Sequence, residues 1–162
     1  MIWLVAIAGL ILICFCGVLL FGAPYLPTLK PQVEAALDLA AAKPGQTMLE
    51  LGCGDGKVLI AAAQRGLSVV GYELNPLLAA VAWLRTRRYR RQVRVIWGDF
   101  WHKPWPPAEI IFTFLLPRYM SKLNKKVMQY NHKPVKLVSF AFKVPRKQVE
   151  AEEQGVYLYT YR

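Results

Sequence analysis

The pattern of apolar and polar positions divides the chain into two unlike parts. From Ile2 to Phe21 almost every residue is apolar, no polar face recurs at any spacing, and the first charged residue is Lys30. Twenty residues at a rise of ~1.5 Å give a helix of about 30 Å, the thickness of a bilayer hydrocarbon core. Residues 1–22 are therefore expected to form a transmembrane anchor that meets lipid through residues 2–21. No basic residue precedes the run, it is longer than the apolar region of a secretory signal, and prolines crowd "FGAPYLP". A retained anchor is thus expected in place of a cleaved peptide. A buried core helix is disfavoured, because helices apolar all round are uncommon in so small a domain.

Pro24, Pro27 and Pro31 make "GAPYLPTLKP" a short, stiff connector. "QVEAALDLAAA" then places Val33, Leu37 and Ala40 on one helical face, and "KPGQ" ends it. The connector and this helix make up residues 23–45. Beyond them, residues 46–162 form the expected main domain, where the period alternates between strand and helix. "QTMLEL", "LSVVGYE", "VRVIW", "IIFTFL" and "VKLVSFAF" read as strands, and "KQVEAE" with "VYLYTY" as a closing hairpin. Between them, "KVLIAAAQR", "PLLAAVAWLRTRRY" and "RYMSKLNKKVMQY" read as helices, the second opened by Asn75 and Pro76. Such alternation predicts an α/β fold with a doubly wound, mostly parallel, Rossmann-like sheet and an antiparallel C-terminal hairpin.

Charge adds a partner to this picture. The chain has 21 Lys and Arg against 10 Asp and Glu, a formal net charge of +11. All the basic residues follow the apolar run, so the positive-inside rule puts the domain on the cytoplasmic side of a single-pass protein. The arginines of "RTRRYRRQVR", Arg85 to Arg94, are expected to face anionic lipid headgroups, which a tethered domain meets at once. Nucleic acid is the weaker alternative. Cys14, Cys16 and Cys53 pair neither as a disulfide nor as a metal site. His102 and His132 read as single loop histidines without partners, and no metal site is expected.

The chemistry gathers at "LELGCGDGKV". Gly52, Gly54 and Gly56 lie between the first strand and its helix, where a doubly wound sheet binds ligands. Glycine permits the sharp turn and a close ligand approach, and the helix that follows offers free N–H groups. Glu73 ends the second strand, about 20 residues on, where an acidic side chain takes both hydroxyls of a ribose. A Walker loop is excluded, since G-x-x-x-x-G-K-[ST] is absent. A dinucleotide fingerprint needs glycine or alanine three residues after Gly54, and Lys57 stands there. The remaining pattern, E-x-G-x-G-x-G, suits S-adenosylmethionine (SAM).

"LELGCGDGKV", "VVGYELNP" and "WGDF", in this order, resemble the first three motifs of the class I, seven-strand SAM-dependent methyltransferases. More narrowly, the N-terminal span, "GAPYLPT", "IIFTFLLP" and "VSFAFKVP" resemble the small membrane-anchored protein-lysine methyltransferases. These include mitochondrial enzymes that modify the ATP synthase c-subunit and the adenine nucleotide translocase, and prokaryotic relatives. The resemblance implies SAM as cofactor, a seven-stranded sheet and a membrane-protein lysine as acceptor. It also implies a methionine-side pocket from Glu50, Gly52, Gly54 and Gly56, with Cys53 and Asp55 in the same turn. Glu73, followed by Leu74, would bind the ribose, and Asp99 the adenine amino group with Phe100 beside the ring. Trp101 and Trp105 could line that pocket or dip into headgroups, with packing as the default.

Methyl transfer is an in-line displacement, so positioning is the protein's main contribution. A lysine acceptor must also lose its proton, which a desolvated channel favours. No residue announces itself as the base. Tyr25 in the connector, and the segment from Thr113 to Pro117 after the fourth strand, are the acceptor-channel candidates. "FLLP" at 114–117 lacks the Asn- or Asp-Pro-Pro-aromatic motif of methyltransferases that act on nucleobase amino groups. Two alternatives remain: a lipid or small-molecule methyltransferase, and a non-catalytic membrane scaffold, which has no need of the Glu73 carboxylate.

Overall fold

The computed structural model describes residues 28–132 and 134–162, together with Trp3, Val5 and Gly9. The expected span and Tyr25 thus lie outside the described residues, apart from those three positions. Among the described residues no helix is long and apolar enough to cross a membrane.

In chain order the elements are α1 (Lys30–Leu39), β1 (Thr47–Leu51), α2 (Lys57–Gln64), β2 (Ser68–Glu73) and α3 (Pro76–Thr86), which tightens into a 3-10 turn over Arg87–Tyr89. They continue as β3 (Val93–Trp97), β4 (Ile110–Thr113), α4 (Pro117–Met128), β5 (Val135–Phe140), β6 (Ala151–Glu153) and β7 (Val156–Tyr161). The seven strands form one sheet in the order β3-β2-β1-β4-β5-β7-β6. The first five are parallel, and β7 runs antiparallel between β5 and β6. Strand order therefore reverses between β1 and β4, and the crevice outside their carboxyl ends is where such a sheet takes a ligand.

Helices cover both faces. Val33, Leu37 and Ala40 of α1 join Leu59 and Ala62 of α2 and Ala82 of α3 over Val69, Ile110, Phe112 and Val138. On the other face Met120, Leu123 and Val127 of α4 pack on Leu49, Leu51, Ile111 and Leu137. Lys136, near the start of β5, donates from Nζ to the Ala40 carbonyl at the end of α1. The end of α1 is thereby tied to the start of β5, and Thr28, just before the helix, is buried.

Several elements stop short of their expected ends for local reasons. The helix opened by Asn75 ends at Thr86, whose hydroxyl donates to the Ala82 carbonyl; the chain then tightens over Arg87–Tyr89. The fifth strand ends at Phe140 because Ala141 adopts φ 66°, the left-handed region. The fourth strand ends at Thr113, four residues before Pro117 opens α4. In the hairpin, Arg146 at φ 59° turns the chain, and β6 begins only at Ala151.

Candidate cofactor and acceptor site

β1 delivers the chain into the glycine turn. Gly52, Gly54 and Gly56 all have positive φ, at 86°, 52° and 81°. Gly56 caps α2 in the left-handed conformation, and a Cβ there would come within 3.3 Å of the Ala82 Cα, so it also sets how closely α2 approaches α3. A Cβ on Gly52 would meet nothing within 4 Å, so that backbone borders open space a ligand can enter. The amides of Gly52 and Cys53 both donate to the Tyr72 carbonyl, which fastens the turn to β2. The Cys53 side chain is buried and points at Gly71, where a Cβ would come within 2.9 Å of its own Cβ. Cys53 thus packs the interior, and only its backbone belongs to the turn.

Glu73 joins this turn to the second strand. Its Oε2 accepts from the Gly54 amide and its Oε1 from the Asn75 amide, each at 2.8 Å. Burial raises the carboxyl pKa, and the Asn75, Gly54 and Leu74 amides oppose that rise. Each oxygen keeps a lone pair for a ribose hydroxyl. Asn75 also accepts from the Leu77 and Leu78 amides, capping α3. The sequence marks it only as a helix opener; its backbone amide also holds the Glu73 carboxylate. The Leu74 carbonyl accepts from Trp97 Nε1 at 3.1 Å.

Glu50 is the most unusual group in the site. It is 3% exposed, and its Oε2 is buried with no hydrogen-bond partner. Burial, followed by repulsion from Glu73 and Asp55, pushes its pKa well above the usual carboxylate range. An unpaired buried carboxylate is costly unless a cation meets it. The ammonium of an amino-acid ligand such as SAM supplies that cation, so the residues present fit the cofactor. Asp55 lies on the outer side of the turn, where its carboxylate pairs with Arg85 of α3 and accepts from the Lys57 amide.

Asp99 and Phe100 follow β3. Asp99 Oδ1 accepts from the Trp101 amide at 2.8 Å, and Oδ2 contacts His102 Nδ1 at 2.7 Å. The sequence alone leaves His102 without a partner; the 99–103 turn, closed by the His102 and Lys103 amides on the Asp99 carbonyl, brings the ring to the carboxylate. His132 likewise has a neighbour, the edge of Tyr130 at 5.3 Å. Phe100 is half-buried against Trp101 at 4.7 Å. Trp101 and Trp105 pack beneath α4, with Lys122 and Lys126 over their rings, in keeping with the packing role expected of them.

The acceptor candidates separate. Thr113 is fully buried, and its hydroxyl donates to the Leu51 carbonyl at 3.4 Å, so it stitches β4 to β1 and has no open face. Pro117 is the exposed first residue of α4. Between them, Phe114 contacts Phe140 at 4.6 Å and stacks on Phe142 at 6.5 Å. These three half-buried rings line the carboxyl ends of β4 and β5, one strand over from the glycine turn. Ser139 holds the loop by donating to the Phe142 carbonyl at 2.7 Å, and Ala141 turns the chain between the two rings. Sequence reasoning reaches Phe114 as part of the 113–117 segment and does not single out Phe140 or Phe142, whose only trace is the alternation in "SFAF".

Residues 50–151 match the model of the ANTKMT methyltransferase domain. The chain is 32% identical over 126 residues to the lysine N-methyltransferase of the ATP synthase c-subunit from Xenopus laevis, across 75% of this chain and 54% of that one. It is 34% identical over 128 residues to the adenine nucleotide translocase lysine N-methyltransferase of Mus musculus, across 77% and 56%. The chain thus spans just over half the length of these relatives. An RNA methyltransferase from Salinibacter ruber, solved with S-adenosyl-L-homocysteine, has a similar structure at TM-score 0.78 and 28% identity, across 83% of this chain and 93% of that one.

Proposed function

The chain belongs to the ANTKMT methyltransferase domain family, and its domain is a SAM-dependent methyltransferase domain; from that premise we propose that it methylates a lysine side chain of a membrane protein. In this reading residues 2–21 tether it as a single-pass anchor, with the domain on the cytoplasmic side.

The observation that carries the cofactor half is the buried, partnerless Glu50 Oε2 beside the Gly52–Gly56 turn. When bound, SAM supplies an electrophilic methyl group for in-line displacement by the acceptor amine. Glu50 would hold its ammonium, Glu73 its ribose, and the Asp99–Phe100 segment its adenine. On the acceptor side, Phe114, Phe140 and Phe142 exclude water. A desolvated amine loses its proton more readily, and a lone pair on nitrogen is what the displacement requires. An apolar entrance also suits an acceptor presented at a bilayer.

A nucleic-acid acceptor is the second reading, favoured by the likeness to the Salinibacter RNA methyltransferase. The missing Asn- or Asp-Pro-Pro-aromatic motif at 114–117 weighs against it. Transfer of labelled methyl groups from SAM to membranes and RNA of the source cell lacking this gene separates the readings. Label recovered as methyl-lysine in membrane protein, and lost with Glu73→Ala, is the expected result. Label in RNA or in the lipid extract would replace the lysine reading.

A further inference from the structure

A surface helix ordinarily has one apolar face, and α3 has two. Ala79, Ala82 and Thr86 are buried toward the sheet. On the opposite side Leu77, Val81 and Leu84, at helical spacing, face solvent, the last 58% exposed. Trp83 beside them is 60% exposed, and Trp97 at the end of β3 is 66% exposed. A helix apolar all round is normally covered by something.

The charges around this stripe are of one sign. No Asp or Glu lies between Glu73 and Asp99, a stretch that contains Arg85, Arg87, Arg88, Arg90, Arg91 and Arg94. Arg85 is held by Asp55; among the described residues the other five have no carboxylate partner. Arg87 lies over the Trp83 ring at 5.9 Å. Trp83, Arg87, Arg88, Arg90, Val93 and Val95 line a cavity of about 530 Å³ beside β3, the free edge of the sheet.

We propose that the outer face of α3 and the adjoining β3 edge rest on the anionic phospholipid surface of the membrane. The aliphatic stripe enters the boundary of headgroups and acyl chains, the tryptophans sit at headgroup depth, and the unpaired guanidiniums meet lipid phosphates. A nucleic acid would match the arginines and leave Leu77, Val81 and Leu84 in water. A second copy of the chain would set one arginine cluster against another. This inference goes beyond the acceptor's identity and depends neither on lysine methylation nor on how residues 2–21 are placed.

The test uses the full chain labelled with 5-fluorotryptophan and combined with lipid nanodiscs containing a doxyl-labelled phospholipid. The 19F resonances are assigned with Trp3→Phe, Trp83→Phe and Trp97→Phe, and the Trp3 signal, which lies in the apolar N-terminal run, is set aside. In discs rich in phosphatidylglycerol, the Trp83 and Trp97 signals should lose intensity while those of Trp101 and Trp105, packed inside the domain, do not. The loss should disappear in phosphatidylcholine discs, and in a variant combining Arg87→Gln, Arg88→Gln and Arg90→Gln whose unchanged SAM affinity shows that it is folded. Equal intensities for Trp83, Trp97, Trp101 and Trp105 would overturn the proposal. So would a loss that ignores both lipid charge and the three arginines. Displacement of Trp83 and Trp97 from the discs by a single-stranded RNA oligonucleotide would assign the face to nucleic acid instead.

Discussion

Glu73 Oε2 accepts the Gly54 amide at 2.8 Å, so the carboxylate proposed to hold a ribose also pins the glycine turn proposed to hold the rest of the cofactor. One side chain thus fixes two parts of the site. Hydrogen bonds to a charged group contribute about 1.5–3 kcal/mol each. Glu73→Ala removes the Gly54 and Asn75 bonds together with the ribose contacts, and SAM affinity should fall by at least about 100-fold. Glu73→Gln keeps one acceptor oxygen and should lose less. Isothermal titration with SAM orders the variants, and equal losses would place the ribose elsewhere.

In the proposed site Glu50 ties cofactor binding to pH. Its pKa in the ligand-free fold is raised, so its contribution to stability is fully present below the unfolded carboxyl pKa and is lost as pH rises through the folded value. Glu50→Gln should therefore raise the Tm of the ligand-free protein at neutral pH. Relief of an unpaired buried group is worth about 1–3 kcal/mol, which corresponds to several degrees. A bound ammonium would pull the same pKa down and expel the proton. SAM affinity should consequently rise with pH in the wild type and stay flat, and weaker, in Glu50→Gln. A wild-type affinity independent of pH would remove Glu50 from contact with the ligand's charge.

The glycines separate strain from access. Gly52 and Gly56 share the left-handed conformation, which costs a residue with a Cβ about 1–2 kcal/mol. Gly56→Ala adds a contact with Ala82 and should lower stability further, while Gly52→Ala projects its methyl into open space. Urea unfolding should thus rank Gly56→Ala below Gly52→Ala. SAM binding should suffer in Gly52→Ala beyond what its stability loss explains.

Phe114, Phe140 and Phe142 supply the acceptor wall in the proposed reaction. Replacing Phe114 with Leu keeps much of the apolar volume and removes an aromatic face, whose attraction for a cationic amine is about 0.5–2 kcal/mol. The kcat/KM for the acceptor should fall roughly 3- to 30-fold with SAM affinity unchanged. Loss of SAM affinity in step with activity would make the ring a structural support of the cofactor site.

Much of this molecule was legible in one dimension, because the interactions that set it are local. Period-2 and period-3.6 patterns separate strands from helices within a few residues. A glycine turn between strand and helix points to a ligand site by backbone geometry, Glu73 follows from its place at a strand end, and Glu50 follows from the family resemblance that "LELGCGDGKV" carries. What remained hidden depends on which distant segments meet. Phe114 and Phe140 become neighbours only because β4 and β5 pair in parallel with Thr113 opposite Ser139. Arg85 reaches Asp55 only because Gly56 lets α2 and α3 approach. The second apolar face of α3 is visible only once the sheet has claimed the first, leaving Leu77, Val81 and Leu84 on the outside. Even the short-range pair of His102 and Asp99 required the actual turn, since side chains three residues apart meet in a helical turn and not in extended chain. The sequence by itself determined the elements and the chemistry at their ends; register, crossover and close helix packing decided which of those ends act together.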